Sequence, residues 1–91
     1  MTIKIAGIEF DNNFYDREVD VLYLHVGDPA SSVDWDESEE GDGVSYGADR
    51  ALVGLTILNA GRRLERDGEI TITLPRQRVV ARDLADVLAP V

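Results

Sequence analysis

The chain contains no cysteine, which excludes disulfides, thiolate metal sites and cysteine nucleophiles. No apolar run reaches the length needed to span a bilayer. The start, Met1-Thr2-Ile3-Lys4-Ile5, has an early lysine but no apolar core of signal-peptide length. These absences lead to the expectation of a cytoplasmic protein that does not enter membranes. Histidine occurs once and tryptophan once, so no site can rest on a pair of imidazoles.

Basic residues are scarce in the first half. Over residues 1–49 only Lys4 and Arg17 stand against thirteen carboxylates, a net charge of −11, while residues 50–91 hold seven arginines against five carboxylates, a net +2. An acidic surface repels phosphate backbones and attracts basic partners, so the expectation is a basic protein partner and no nucleic acid. With 91 residues, 44% hydrophobic and 30% charged, the chain supports one hydrophobic core, and residues 1–91 read as a single domain.

Residues 3–10 are β-branched and apolar ahead of the turn residues Asp11-Asn12-Asn13, which reads as a first strand. Residues 15–20 read as an irregular or single-turn lead into a strand over residues 21–26. There Leu22, Leu24 and Val26 face one way and Val21, Tyr23 and His25 the other. Residues 27–43 gain proline, serine, glycine and acid and lose alternation, the composition of a flexible acidic loop. Residues 44–46 and 52–58 read as an antiparallel hairpin, its second strand apolar on both faces, as at a sheet centre or a subunit contact. A helical turn over 59–64 and an alternating strand over 69–74, ended by Pro75, follow. Val80, Leu84, Val87 and Leu88 share the spacing of one helix face, with Arg82 and Asp86 as an i,i+4 pair and Pro90 as the stop. The expected architecture is α+β: an antiparallel meander of about five strands with one C-terminal helix packed on the sheet.

Two segments carry a family signature. Tyr15-Asp16-Arg17-Glu18-Val19-Asp20-Val21-Leu22-Tyr23-Leu24, followed later by Val53-Gly54-Leu55-Thr56-Ile57-Leu58-Asn59-Ala60-Gly61-Arg62-Arg63-Leu64, resembles the small bacterial proteins grouped as domain of unknown function 2283. The resemblance spans residues 12–64 and lies in structural positions, so it implies a fold before any reaction. Members commonly carry glutamate within the strand that here reads 53–57, and serine-lysine in place of Gly61-Arg62. A site using that glutamate is therefore absent here. Relatives encoded beside small toxin-like proteins extend the implication to an antitoxin-like role.

Among chemical candidates, Asp34, Asp36, Glu37, Glu39, Glu40 and Asp42 could wrap a hard cation. However, Trp35, Ser38 and Gly41 break the calcium-loop register, leaving a solvated charged loop. Trp35 among these acids either anchors the loop on its own sheet or enters a partner's pocket while Asp34, Asp36, Glu37, Glu39 and Glu40 meet basic residues. Asp16, Asp20 and His25 form the rival set, for a metal, a small ligand or an acid/base enzyme, provided that they converge. A nucleophilic triad would need a serine that His25 can activate. Ser31, Ser32 and Ser38 fall in the acidic loop, and Ser45 lacks a nucleophile-elbow context. Asp16 and Asp20 otherwise serve the turn, bonding backbone at either end, with Tyr15 packing it onto the sheet. Arg62 and Arg63 bind an anion or pair with the acidic half. The reading from sequence is a non-enzymatic interaction module, a homodimer without a cofactor, that engages a basic partner.

Overall fold

The computed structural model describes residues 2–74, 78–82 and 84–88. Its strands are β1 (Ile3–Ile5), β2 (Ile8–Phe10), β3 (Asn12–Asp16), β4 (Val21–His25), β5 (Asp34–Glu37), β6 (Gly43–Tyr46), β7 (Leu52–Leu58), β8 (Ile70–Thr73) and β9 (Arg78–Ala81). Helix α1 covers Ala60–Asp67 and the short α2 covers Ala85–Leu88. The class is α+β. Its centre is a five-stranded antiparallel sheet in the order β3-β4-β7-β6-β5, flanked by the separate hairpins β1-β2 and β8-β9.

The membership of that sheet differs from the sequence expectation in instructive ways. The first apolar stretch is two strands, because Ala6 and Gly7 adopt φ of 53° and 81° and make a tight hairpin turn. Asn12–Asp16 forms a strand although its sequence barely alternates. The stretch expected to be a flexible loop over 27–43 contains a 3-10 turn at Pro29–Ser31 and the strand β5. Val79–Ala81 is strand rather than helix, and the helix after it is confined to Ala85–Leu88. Pro75, Pro90 and the side chain of Asp86 lie outside the described residues.

Alternation sorts the sheet into two faces. Leu22 and Leu24 of β4, Val44 of β6, and Leu55 and Ile57 of β7 point to one side. They form a continuous core with Ile3, Ile5, Phe10, Ile70, Ile72, Val79 and Leu84, so the two hairpins and the helices cover this face. At about 25 cal/mol per Å² of apolar surface removed from water, this layer is the main source of stability. Among the described residues the opposite face has no such cover: Phe14, Tyr23, Trp35 and Leu58 are exposed there.

Candidate functional site

On the uncovered face the registers align two rows of side chains across all five strands. One row runs Asn12, His25, Gly54, Ser45, Trp35; the next runs Phe14, Tyr23, Thr56, Gly43, Glu37. Glycine, serine and threonine occupy the middle of both rows, and aromatic residues stand at the sides. The result is a trough of about 370 Å³, open to solvent, lined by residues of both rows together with Pro29 and Ser32. Phe14 and Tyr23 stack with centroids 6.3 Å apart and planes inclined by 20°, forming one wall. Trp35, 69% exposed, is the other.

Gly54 is required at the floor. A Cβ there would overlap Ser45 Oγ and stand 2.8 Å from His25 Cδ2. Gly54→Ala is accordingly expected to cost about 1–3 kcal/mol, the usual range for an overpacked site. Thermal denaturation of the single variant and of Gly54→Ala combined with Ser45→Ala checks this, with partial recovery expected in the pair.

The space that glycine leaves is filled by a polar cluster that sequence reading missed. His25 Nδ1 donates to Val26 O at 2.8 Å, which leaves Nε2 facing Ser32 Oγ at 2.8 Å, and Ser45 Oγ lies 3.0 Å beyond Ser32. Ser32 is thus brought to the imidazole despite its place in the acidic stretch. The position behind the ring is a backbone carbonyl, not a carboxylate, so an imidazolium would lack the anionic support of a catalytic triad. Mechanically, the cluster pins the 3-10 turn over the sheet, and no sequence signal short of the fold shows it.

The acidic residues divide into those that hold the fold together and those exposed along β5. Asp42 is fully buried: Arg63 Nη1 donates to its Oδ1 at 2.6 Å, Leu58 N donates to the same oxygen at 3.2 Å, and Ser38 Oγ donates to Oδ2 at 3.2 Å. Arg63 also donates to Leu58 O and Thr71 O, joining the turn before β6 to β7 and β8. The pairing expected between the arginines and the acidic half is realised at Arg63. Glu40 accepts from Thr73 N at 2.7 Å and from Thr73 Oγ1 at 2.6 Å. Burial pushes its carboxyl upward, but these bonds outweigh burial and hold it below the usual range. Asp34, Trp35, Asp36, Glu37 and Glu39 are exposed. Burial, and then the charges of Asp36 and Asp34, raise the Tyr46 phenol above its ordinary value, a measure of the negative field around β5.

As a sheet edge, β5 is closed by its own side chains. Trp35 N donates to Asp34 Oδ1 at 3.0 Å and Glu37 N to Asp36 Oδ1 at 2.8 Å. Ser38 N, by contrast, donates across the hairpin to Asp42 O. The alternation of an antiparallel ladder therefore turns the N–H groups of Trp35 and Glu37 outward. With both outward donors occupied and the edge acidic, strand addition is blunted.

The rival set does not converge. Asp16 Oδ1 accepts from Glu18 N at 3.1 Å, within its own turn. His25 lies at the other end of β4, about 13 Å along the strand from the position opposite Asp16. Asp20 serves helix α1. Its backbone oxygen accepts from Ala60 N at 3.1 Å, Oδ1 accepts from Gly61 N at 2.7 Å and from Tyr15 Oη at 2.6 Å, and Oδ2 accepts from Arg62 N at 3.2 Å. Asn59, the residue before the helix, makes no side-chain cap of its own. Asp20 therefore caps a helix that begins some forty residues later. Gly61 permits the approach, since a Cβ there would lie 2.9 Å from Asp20 Oδ1. Among the described residues, no three His, Asp or Glu side chains group where they could hold a metal ion. No described helix is long and apolar enough to cross a membrane.

The fold and this site define a small α+β protein in which, among the described residues, one face of the five-stranded sheet is left open. A family model described as "Protein of unknown function (DUF2283)" matches residues 14–60, just over half of the chain, and the chain belongs to that family. No curated protein and no solved structure matches it. The matched segment runs from Phe14 through the whole five-stranded sheet, bar the first residues of β3, to Ala60 beside the Asp20 cap.

Proposed function

We propose that the chain is a non-enzymatic protein-interaction module that engages and masks a basic partner protein, as an antitoxin masks its toxin. The observation that carries this reading is the position of β5: Asp34, Trp35, Asp36 and Glu37 are all exposed on a sheet edge, beside a face whose lining, among the described residues, contains no lysine or arginine. Exposed aromatic rings beside exposed carboxylates suit a partner that supplies both apolar area and positive charge. The closed backbone of β5 directs such a partner to side chains rather than to strand addition.

The test is affinity capture from the source lysate with the native chain and with a variant carrying Asp34→Asn, Asp36→Asn, Glu37→Gln and Glu39→Gln. Glu40 and Asp42 are left alone because they hold the fold. A captured protein of basic isoelectric point that is lost with the four charges, and that rebinds after purification, is the expected result. Capture of the same proteins by both baits contradicts the reading.

The homodimer expected from the sequence has one specific support. Phe14, 62% exposed, sits on the edge strand β3 and stacks on Tyr23. Light scattering at high concentration decides it, a strict monomer counting against it.

A further inference from the structure

The partner reading leaves open where on the acidic half the contact is made. We propose that the glycine-floored trough between the Phe14–Tyr23 wall and Trp35 is the seat of a partner segment rich in arginine. This inference rests on the proposed binding of a basic protein and assigns its site.

Dimensions come first. The walls stand on β4 and β5, three strand spacings apart, or about 14 Å at the usual inter-strand distance. An α-helix with its side chains is about 10–12 Å across and an extended chain is narrower, so a peptide segment, rather than one isolated side chain, matches the opening. Gly54 at the centre of one row and Gly43 beside the centre of the next bring the floor down to the backbone, and Ser45 and Thr56 add only short side chains. In a strand interior, glycine commonly marks a place where another backbone approaches closely. Gly54 is occupied from its flanks by Ser45 and His25; the ground above Thr56 and Gly43 is the open part.

Chemistry then selects the side chain. The trough offers aromatic faces and hydroxyl acceptors, Asp36 is among its lining residues, and Glu37 is the next residue of β5 on Trp35's face. A planar guanidinium stacks on an aromatic ring while its edge donates several hydrogen bonds, and it is less strongly hydrated than an ammonium, so arginine fits better than lysine. Among the described residues a phosphate or carboxylate ligand finds no lysine or arginine in the lining, and His25 already spends Nδ1 on Val26 O and Nε2 on Ser32.

The only tryptophan of the chain is a wall of this site, and its fluorescence reports occupancy directly. The experiment titrates the native protein with a short oligo-arginine peptide and with an oligo-lysine peptide of equal length, followed by Trp35 emission and by backbone amide NMR. Two variants accompany it. Trp35→Ala removes one exposed wall at no cost to the core, and Thr56→Phe fills the floor. Localised shifts at the Gly43, Gly54 and Thr56 amides are expected, with tighter binding of arginine than lysine. Each variant is expected to weaken arginine binding by about tenfold, the scale of one lost cation–π contact. The assignment is overturned by shifts spread evenly over Glu18, Asp28 and Asp49, with both peptides binding alike and neither variant changing affinity. In that event binding that still disappears with the four β5 and Glu39 charges leaves the basic-partner reading standing without this seat, so the two failures are distinguishable.

Discussion

Replacing Arg63 by alanine is expected to remove about 3–5 kcal/mol of folding stability, the cost of leaving a buried carboxylate without its counter-ion. Asp42 is fully buried and Arg63 nearly so, with 13% of its side chain exposed. The guanidinium bonds Asp42 Oδ1, Leu58 O and Thr71 O together, so its loss leaves the buried carboxylate without its counter-ion and unties three separate parts of the chain. A domain of this kind has about 5–15 kcal/mol in total, and the variant should sit near the edge of folding. Arg63→Lys keeps the charge but cannot fork to three acceptors, and an intermediate loss is expected. Urea denaturation of the three proteins measures both effects. A loss below about 1 kcal/mol for Arg63→Ala, the scale of an exposed pair, would show that water reaches Asp42.

The second large effect concerns Asp20. Its substitution by alanine uncaps α1 and leaves the Tyr15 hydroxyl without its acceptor, with an expected loss of about 2–3 kcal/mol from the cap and the stranded donors combined. Burial acts to raise the Asp20 carboxyl, but the bonds from Tyr15, Gly61 and Arg62 together prevail and hold it below the ordinary carboxylate range. A carboxylate whose folded pKa is depressed stabilises the protein above its unfolded value, about 3.9 for aspartate, and loses that contribution as pH falls through the folded value. Glu40 shifts in the same direction and adds to the acid sensitivity. At the alkaline end the Tyr15 phenol is raised, chiefly by its bond to Asp20, so its contribution is complete below about pH 10 and lost as pH climbs through the folded value. Urea unfolding of the native chain and of Asp20→Asn from neutral to acidic pH checks the argument. The stability difference should shrink as pH falls; a difference constant to strongly acidic pH would contradict it.

Both effects bear on what the sequence could reveal. The α+β class, the sheet-forming character of residues 21–25, 44–46 and 52–58, and the helical turn after Asn59 are legible because apolar alternation and turn residues act locally. β5 is not legible, since a strand exposed along its whole length carries no burial pattern. β3 escapes because Asn12 and Asn13 read as turn residues while its pairing with β4 is decided by hydrogen bonds. The break at Ala6-Gly7 is hidden by an alanine with positive φ.

The family signature was legible as a pattern but not as a cause. Tyr15 and Asp20, with the Asn-Ala-Gly turn at 59–61, turn out to be the parts of one lock between the β3-β4 turn and helix α1. Sequence separation concealed it. The trough had one local signal, the isolated Gly54 inside an apolar strand, which marks either a bulge or a close approach. Its aromatic walls come from strands that are far apart in the chain, and only the register places Tyr23 and Trp35 on opposite sides of that glycine.

The covered face of the sheet carries the packed core, and the open face is the proposed binding surface. Hydrogen–deuterium exchange of the native chain, alone and saturated with its captured basic partner, tests that division most directly. Protection confined to β4, β5, β6 and β7 around the trough, with the β1-β2 and β8-β9 hairpins unchanged, is the predicted result. Protection concentrated on those hairpins or on α1, with residues 34–46 exchanging as in the free protein, would place the working surface elsewhere and contradict it.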